Sequence, residues 1–162
     1  MATDFIFAYG SNMNRSELRS WLEAAGHDSS LVLETAPAFL EGYDYVWNYY
    51  SRGRGCGTAN IEQKEGSTIW GVLMEIDESL LKAFDRKEGH PYLYSRGMNR
   101  IPVSRARDGQ IIPAWVYVAN ANKTGSRDAR PSRDYKDVLT KAAVYWGFPQ
   151  DYIEAMTEWE AQ

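Results

Sequence analysis

The chain has 162 residues, 44% of them hydrophobic and 25% charged, which is the composition of a globular protein rather than a disordered one. Its formal net charge is −4, so electrostatics predict no general attraction to nucleic acid or to an anionic membrane surface. The single cysteine, Cys56, excludes an internal disulfide, and no stretch approaches the roughly 18 apolar residues of a transmembrane helix.

These bulk properties predict a single domain over residues 1–162. The N-terminal sequence MATDFIFAYGSN has no basic segment followed by a long apolar run, as a secretory signal peptide would have. The expected protein is therefore soluble, and its expected location is the cytoplasm.

The first predicted elements are a strand, a tight turn and a helix. Residues 5–9 form a short apolar run typical of a buried strand. Gly10-Ser11-Asn12 predicts a turn, since Gly and Asn tolerate positive φ. Asn14 is the expected N-cap of the helix, Glu17 completes a capping box, and Gly26 ends the helix.

The middle of the chain is predicted to consist mainly of strands. Residues 31–50 are β-branched and aromatic, and a proline and a glycine divide them into one bent strand or two short ones. Residues 58–62 and 68–76 predict a hairpin around Lys64-Glu65-Gly66.

A short helix and another hairpin are expected next. Asp77 is the expected N-cap of the helix, which Gly89 ends. Residues 92–104 and 110–119 predict two strands joined at Asp108-Gly109, a dipeptide typical of hairpin turns.

The C-terminal part is predicted to be helical. A polar loop over residues 120–131 precedes a helix that begins after Ser132 and ends at Gly147, and a last helix is expected at about residues 151–159. Strands in the middle and helices at the end indicate an α+β fold rather than a regular βαβ alternation.

The residues present argue against a structural zinc site and a phosphate loop, while a metal site built from carboxylates alone stays open, although no DxDxDG-type loop is found. Two histidines, His27 and His90, and one cysteine do not supply the four ligands of a structural zinc site. Gly53-Arg54-Gly55-Cys56-Gly57 lacks the Lys-Ser/Thr ending of a phosphate loop and precedes a predicted strand, which indicates a simple connection. Arginines cluster locally at Arg52/Arg54 and at Arg96/Arg100/Arg105/Arg107. They are interpreted as solvated residues of strand faces and turns, with an anion-binding or partner-binding patch as the alternative.

Ser11 and Glu88 are the candidate reactive groups. Ser11 lies in a turn between a strand and a helix, as the nucleophile of a serine hydrolase does, and His90 is an available histidine. A Ser11–His90 hydrolase therefore stays open as an alternative, although the G-x-S-x-G spacing is absent. The backbone N–H groups of the turn at Ser11 would suit an anion, unless the turn only caps the helix. Glu88 is predicted to end a helix, where the helix dipole is unfavourable to a carboxylate. It is therefore either a general base with a raised pKa or a solvated side chain beside Lys87.

Seven segments, in chain order, carry a resemblance to a known family. They are Phe7-Ala8-Tyr9-Gly10-Ser11-Asn12-Met13, Gly57-Thr58-Ala59-Asn60-Ile61, Trp70-Gly71-Val72-Leu73, Phe84-Asp85-Arg86-Lys87-Glu88-Gly89, Ala114-Trp115-Val116-Tyr117-Val118, Pro131-Ser132-Arg133-Asp134-Tyr135 and Trp146-Gly147-Phe148-Pro149-Gln150-Asp151-Tyr152. In this order they resemble the γ-glutamylcyclotransferase family, and the resemblance spans nearly the whole chain.

The resemblance implies a small mixed β-barrel with flanking helices, and an enzyme that cyclises a γ-glutamyl group to 5-oxoproline and releases an amine. It places the catalytic glutamate at Glu88. The substrate-binding residues that it implies are Tyr9, Gly10, Ser11, Asn12, Tyr117 and Tyr135. It implies no metal and no organic cofactor, and its implied partner is a small γ-glutamyl compound rather than nucleic acid or a membrane.

Several questions stay open at this point. The leaving group is an amino acid, an amine or an antibiotic precursor, although Ser11-Asn12-Met13 resembles the branch that acts on γ-glutamyl amino acids. The fold would also serve a protein that only binds a γ-glutamyl metabolite. The chain is expected to be a monomer or a homodimer. Finally, we hypothesise that the loop over residues 120–130 is a lid over the substrate.

Overall fold

The computed structural model describes residues 2–125 and 128–162. Within these residues the strands are β1 (Thr3–Ala8), β2 (Val32–Val46), β3 (Tyr50–Ser51), β4 (Cys56–Gly57), β5 (Asn60–Asp77), β6 (Tyr94–Ser95), β7 (Ile101–Arg105), β8 (Ile111–Ala114) and β9 (Val118–Ala119). The α-helices are α1 (Arg15–Ala24), α2 (Leu81–Glu88), α3 (Arg133–Trp146) and α4 (Gln150–Thr157).

The central sheet confirms the predicted α+β class. Its strands lie in the order β1-β5-β2-β7-β8, and each neighbouring pair is antiparallel. The predicted barrel is not closed, because β1 meets the chain after β8 at one parallel bridge, between Ile6 and Trp115, rather than along a continuous ladder. After Trp115 the chain leaves the sheet and carries Tyr117 to the wall of a cavity.

The hairpin predicted around Gly66 is wrong. The two segments assigned to it belong to one strand, β5, which pairs with β2 on both sides of an irregularity. Thr68 lies opposite Glu41 and Gln63 lies opposite Tyr43, so residues 64–67 bulge out between them. A glycine with positive φ suits a bulge as well as a turn, and pairing with the long β2 keeps both segments in one strand.

The helix ends predicted at Asn14, Ser132 and Gly147 are confirmed, whereas Asp77 caps a 3-10 turn, Glu78–Leu80, and α2 begins only after it. Asn14 accepts a hydrogen bond from the N–H of Glu17, and Ser132 accepts one from the N–H of Tyr135. Gly147 has the left-handed conformation expected at a helix C-terminus. These caps depend on contacts between near neighbours in the chain, which is why sequence alone locates them.

The hairpin at Asp108-Gly109 is also confirmed, and it joins β7 to β8. The strands predicted around it are too long, however. Residues 92–104 contain β6 and β7 with a break at residues 96–100, and residues 110–119 contain β8 and β9 with a break at residues 115–117. Each break marks a change of partner, since β6 pairs with β9 in a small separate sheet.

The loop before α3 is tied to the segment that follows β2. The N–H of Gly125 donates to the carbonyl of Asn48 at 2.8 Å, and the N–H of Ala129 donates to the carbonyl of Trp47 at 2.9 Å. The lid hypothesis falls partly on residues 126–127, which lie outside the described residues. It stays a prediction.

Gly57 is required by a close approach of this loop to β4. A Cβ atom at Gly57 would lie 1.6 Å from the carbonyl oxygen of Ala129. We therefore expect Gly57→Ala to lower the free energy of unfolding by about 1–3 kcal/mol, the usual effect of overpacking. Urea unfolding measures this change.

Gly53→Ala is the matched control, because among the described residues its Cβ would meet only Ser51 Oγ within 4 Å, at 3.9 Å. Its effect should stay within about 0.5 kcal/mol. Equal stability of the two variants would contradict the close approach at Gly57.

Candidate active site

All the residues that the sequence analysis assigned to substrate binding and catalysis line one cavity of about 180 Å³. They are Tyr9, Gly10, Ser11, Asn12, Glu88, Tyr117 and Tyr135. The structure thus brings together residues from the end of β1, the end of α2, the segment after β8 and the first turn of α3. Further lining residues that the sequence analysis did not propose include Tyr49, Arg54, Lys87 and Tyr94.

Glu88 is the last residue of α2, and its side chain is half-buried in the cavity wall. The fully buried Phe84, one turn earlier, anchors the helix in the core, and Gly89 ends it in the left-handed conformation. Glu88 Oε1 accepts a hydrogen bond of 2.8 Å from Asn12 Nδ2. The carboxylate is therefore held at a fixed place facing the turn after β1.

Burial raises the pKa of Glu88 above its ordinary value. The nearby ammonium of Lys87, the hydrogen bond from Asn12 and the guanidinium of Arg54 oppose this rise but do not cancel it. A carboxylate with a raised pKa is a better proton acceptor when ionised than an ordinary surface glutamate.

The turn that faces Glu88 differs in conformation from the prediction. Gly10 has φ −114°, and no non-glycine residue in the described chain has positive φ, so Asn12 is not left-handed either. The turn is instead a short 3-10 helix, Ser11–Met13, fixed by Trp146, whose Nε1 donates to the carbonyl of Met13 at 2.8 Å. A Cβ at Gly10 would come within 3.4 Å of the hydroxyl of Tyr135, so the glycine keeps this side of the cavity open.

The turn also has open hydrogen-bond donors. Among the described residues, the backbone N–H groups of Ser11 and Asn12 have no protein acceptor. First-turn N–H groups lack a partner inside their own helix. A bound ligand could accept hydrogen bonds from both groups.

Tyrosine hydroxyls form much of the remaining wall. Tyr135 accepts a hydrogen bond from the N–H of Ala59 at 3.0 Å, and Tyr94 donates to the carbonyl of Ala59 at 2.7 Å. Tyr9 donates to the carbonyl of Tyr117. Burial raises the pKa of each of these tyrosines, so their hydroxyls stay protonated at neutral pH. The hydroxyl of Tyr135 keeps a proton to donate, because the bond from Ala59 uses its oxygen as acceptor.

A second carboxylate, Asp85, supports the site from behind. The hydroxyl of Tyr117 donates to Asp85 Oδ1 at 2.6 Å, while Arg96 donates to both oxygens at 2.8 and 3.1 Å. Although burial alone would raise the pKa of Asp85, these hydrogen bonds lower it. This network was not predicted from the sequence, although Asp85 lies three residues before Glu88, a spacing that puts both side chains on one face of α2.

The alternative pair of Ser11 and His90 is not brought together. His90 does not line the cavity, and its Nδ1 accepts a hydrogen bond from the N–H of Arg96 at 3.3 Å. Among the described residues, no hydrogen bond joins Ser11 to His90. The arrangement therefore lacks the base that a serine nucleophile needs.

A larger groove of about 840 Å³ lies on the other side of the same turn, between α1, β2 and α3. The one carboxylate among its lining residues, Glu34, is exposed and forms an ion pair with Arg107. The smaller cavity, with Glu88 held against Asn12, is the better candidate for chemistry.

Two further features concern metals and membranes. In the part of the chain that the structure describes, no three His, Cys, Asp or Glu side chains are grouped so as to hold a metal ion. None of the helices formed by the described residues has the length and hydrophobicity of a membrane-crossing segment.

Comparison with known proteins places the chain in a family. The family model for gamma-glutamyl cyclotransferases and AIG2-like proteins matches residues 6–137. A gamma-glutamylcyclotransferase of Mus musculus is 29% identical over 157 residues, covering 95% of this chain and 77% of that protein. A gamma-glutamylcyclotransferase of Homo sapiens is 28% identical over 102 residues, covering 62% of this chain and 50% of that protein.

Solved structures agree on the fold. A gamma-glutamyl cyclotransferase superposes with a TM-score of 0.82 at 22% identity, over 99% of this chain and 90% of that one. An uncharacterised protein of Homo sapiens gives a TM-score of 0.81 at 23% identity, over 100% of this chain and 90% of that one. From the family model and the shared fold, the chain belongs to the gamma-glutamyl cyclotransferase, AIG2-like family.

Proposed function

We propose that this protein is a γ-glutamylcyclotransferase, which converts the γ-glutamyl group of a γ-glutamyl amino acid or amine to 5-oxoproline and releases the amine. The observation that carries the proposal is the half-buried Glu88, with its raised pKa, held by Asn12 in a cavity beside the turn. Membership of the family supports the reaction class.

The first step that we propose is proton transfer to Glu88. The α-ammonium of the substrate must lose a proton before its nitrogen can attack, and the ionised Glu88 carboxylate takes that proton. The nitrogen then forms a bond to the γ-carbonyl carbon, which closes a five-membered ring. Because both groups belong to one molecule, holding the right conformer can supply an effective molarity of ~10⁵ M or more.

The second step is the loss of the amine. Glu88 returns its proton to the leaving nitrogen, the bond between this nitrogen and the former γ-carbonyl carbon breaks, and the carbonyl of 5-oxoproline forms again. The ring nitrogen still carries one extra proton, which Glu88 takes up and passes to the released amine, so the amine leaves as an ammonium ion. The open N–H groups of Ser11 and Asn12 would bind the oxyanion of the intermediate or the α-carboxylate. The tyrosine hydroxyls would hold the rest of the γ-glutamyl group.

The proposal is tested by incubating the protein with a panel of γ-glutamyl compounds and measuring 5-oxoproline by mass spectrometry. We expect 5-oxoproline and an equal amount of free amine from at least one compound. Tight binding of these compounds without any 5-oxoproline would instead identify a γ-glutamyl-binding protein that is not an enzyme.

The pH dependence of the reaction should reflect the pKa of Glu88. Lowering the pH protonates Glu88 and removes the base, so kcat/KM should fall with decreasing pH. Because burial raises the pKa, the midpoint of this fall should lie above about 4.3, the ordinary value for glutamate. Initial rates from pH 4 to pH 9 test this, with circular dichroism at each pH to show that the protein stays folded. Activity that is constant down to about pH 4 would contradict the role of Glu88 as base.

A further inference from the structure

Two cationic side chains, Arg54 and Lys87, line the cavity without a place in the mechanism above. Arg54 comes from the turn between β3 and β4, and Lys87 precedes Glu88 on α2. We call these two residues the cation pair. They come from distant parts of the chain, so their meeting in one small cavity is a property of the fold.

Both members of the cation pair pack against one face of α1. Arg54 forms an ion pair with Glu17, and the ammonium of Lys87 lies 5.8 Å from the centre of the Trp21 ring. Glu17 and Trp21 are four residues apart and therefore lie on the same side of the helix. The guanidinium of Arg54 also lies 5.0 Å from the centre of the Tyr135 ring, which brings it over the wall of the cavity.

The cation pair has unused capacity to bind an anion. Within residues 2–125 and 128–162, the ammonium of Lys87 has no hydrogen-bond acceptor and no carboxylate within 4.0 Å. Arg54 donates to Glu17 through Nη2, and its guanidinium has no second acceptor among these residues. Burial, together with the charge of Arg54, lowers the pKa of Lys87, although Glu88 opposes this effect. A bound carboxylate would compensate both positive charges.

The position of Arg54 indicates which carboxylate binds there. Its side chain is 34% exposed, so it lies at the mouth of the cavity, whereas Glu88 and the turn mark the end where the ring closes. The leaving group must lie toward the mouth, because it departs from there. A leaving amino acid carries a carboxylate of its own, whereas a leaving amine does not.

We propose that Arg54 and Lys87 form a subsite for the carboxylate of the leaving group. The subsite makes the protein selective for γ-glutamyl amino acids over γ-glutamyl amines. This inference rests on the proposed function.

The test uses two substrates that differ by one carboxylate, γ-glutamyl-alanine and γ-glutamyl-ethylamine. Both keep the α-carboxylate of the γ-glutamyl group, so the ratio of their kcat/KM values reports on the second carboxylate alone. The parent protein should favour γ-glutamyl-alanine. Arg54→Gln should lower the ratio by about tenfold or more, the scale of one hydrogen bond to a charged group, and Lys87→Gln should change it in the same direction. Arg54→Lys should keep part of the preference.

Arg52→Gln is the matched control, because Arg52 is exposed in the same turn and does not line the cavity. It should leave the ratio unchanged. Equal kcat/KM of the parent on both substrates would overturn the inference and leave the proposed function intact. An equal loss of kcat/KM on both substrates in Arg54→Gln would do the same, because it would assign Arg54 to the α-carboxylate. If the parent releases 5-oxoproline neither from these two compounds nor from any other compound of the panel, the proposed function fails together with the inference.

Discussion

Replacing Glu88 by Gln is expected to lower turnover by roughly 10²-fold or more, while a γ-glutamyl ligand still binds within a few-fold of its affinity for the parent protein. Gln keeps the size of the side chain, and its oxygen can still accept the hydrogen bond from Asn12 Nδ2. It cannot take a proton at neutral pH. Release of 5-oxoproline measures turnover, and calorimetry with an unreactive analogue measures binding.

Glu65→Gln is the control for this change, because Glu65 is an exposed residue of the β5 bulge, outside the cavity. It should turn over substrate like the parent. A serine hydrolase would behave in the opposite way: it would lose activity on Ser11→Ala and keep most of it on Glu88→Gln. A folded Glu88→Gln protein with near-parent turnover would remove Glu88 from the mechanism.

The unfolding temperature of Glu88→Gln distinguishes a loss of turnover from a loss of folded protein. The folded protein raises the pKa of Glu88, so protonated Glu88 favours folding below its ordinary pKa, and this contribution is lost as the pH rises through the raised value. At neutral pH the ionised carboxylate is therefore a cost to the fold. Glu88→Gln should unfold at a temperature no lower than that of the parent.

Much of the fold could be predicted because its signals act over a few residues. The caps at Asn14 and Ser132 and the hairpin turn at Asp108-Gly109 each depend on near neighbours. The hairpin around Gly66 failed because a glycine with positive φ fits a bulge as well as a turn, and the pairing with distant β2 decides between them. The prediction of a closed barrel was wrong for a similar reason, since closure depends on how two edge strands, distant in the chain, meet.

The candidate site, like the fold, could be predicted from the sequence only in part. Resemblance to a family supplied the residues that the structure now brings into one cavity. The contact of Asn12 with Glu88 spans 76 residues, and the positions of Arg54 and Lys87 also depend on distant packing. No periodicity or spacing in the sequence encodes such contacts. The exposure predicted for Arg54 is confirmed, but the same side chain also lines the cavity, which the sequence did not indicate.

Helix α2 carries two carboxylates one turn apart whose environments shift their pKa values in opposite directions. Burial raises the pKa of Glu88, whereas for Asp85 the hydrogen bonds from Arg96 and Tyr117 overcome the effect of burial and lower it. Opposite shifts in neighbouring groups indicate different roles. Glu88 is suited to exchange a proton, and Asp85 is suited to stay ionised and hold Tyr117 and Arg96 in place.

Asp85→Ala is therefore expected to lower the free energy of unfolding by about 3 kcal/mol at neutral pH, because it leaves the partly buried guanidinium of Arg96 without its carboxylate. Urea unfolding measures the loss. The control, Glu34→Ala, breaks an ion pair whose side chains are 54% and 55% exposed, and should cost no more than about 1 kcal/mol.

Because the folded protein lowers the pKa of Asp85, the contribution of Asp85 to stability is present above the ordinary pKa of about 3.9 and is lost as the pH falls through the lowered pKa. The difference between parent and Asp85→Ala should therefore shrink on acidification. Equal losses in the two variants at neutral pH would show that the network around Asp85 does not support the site.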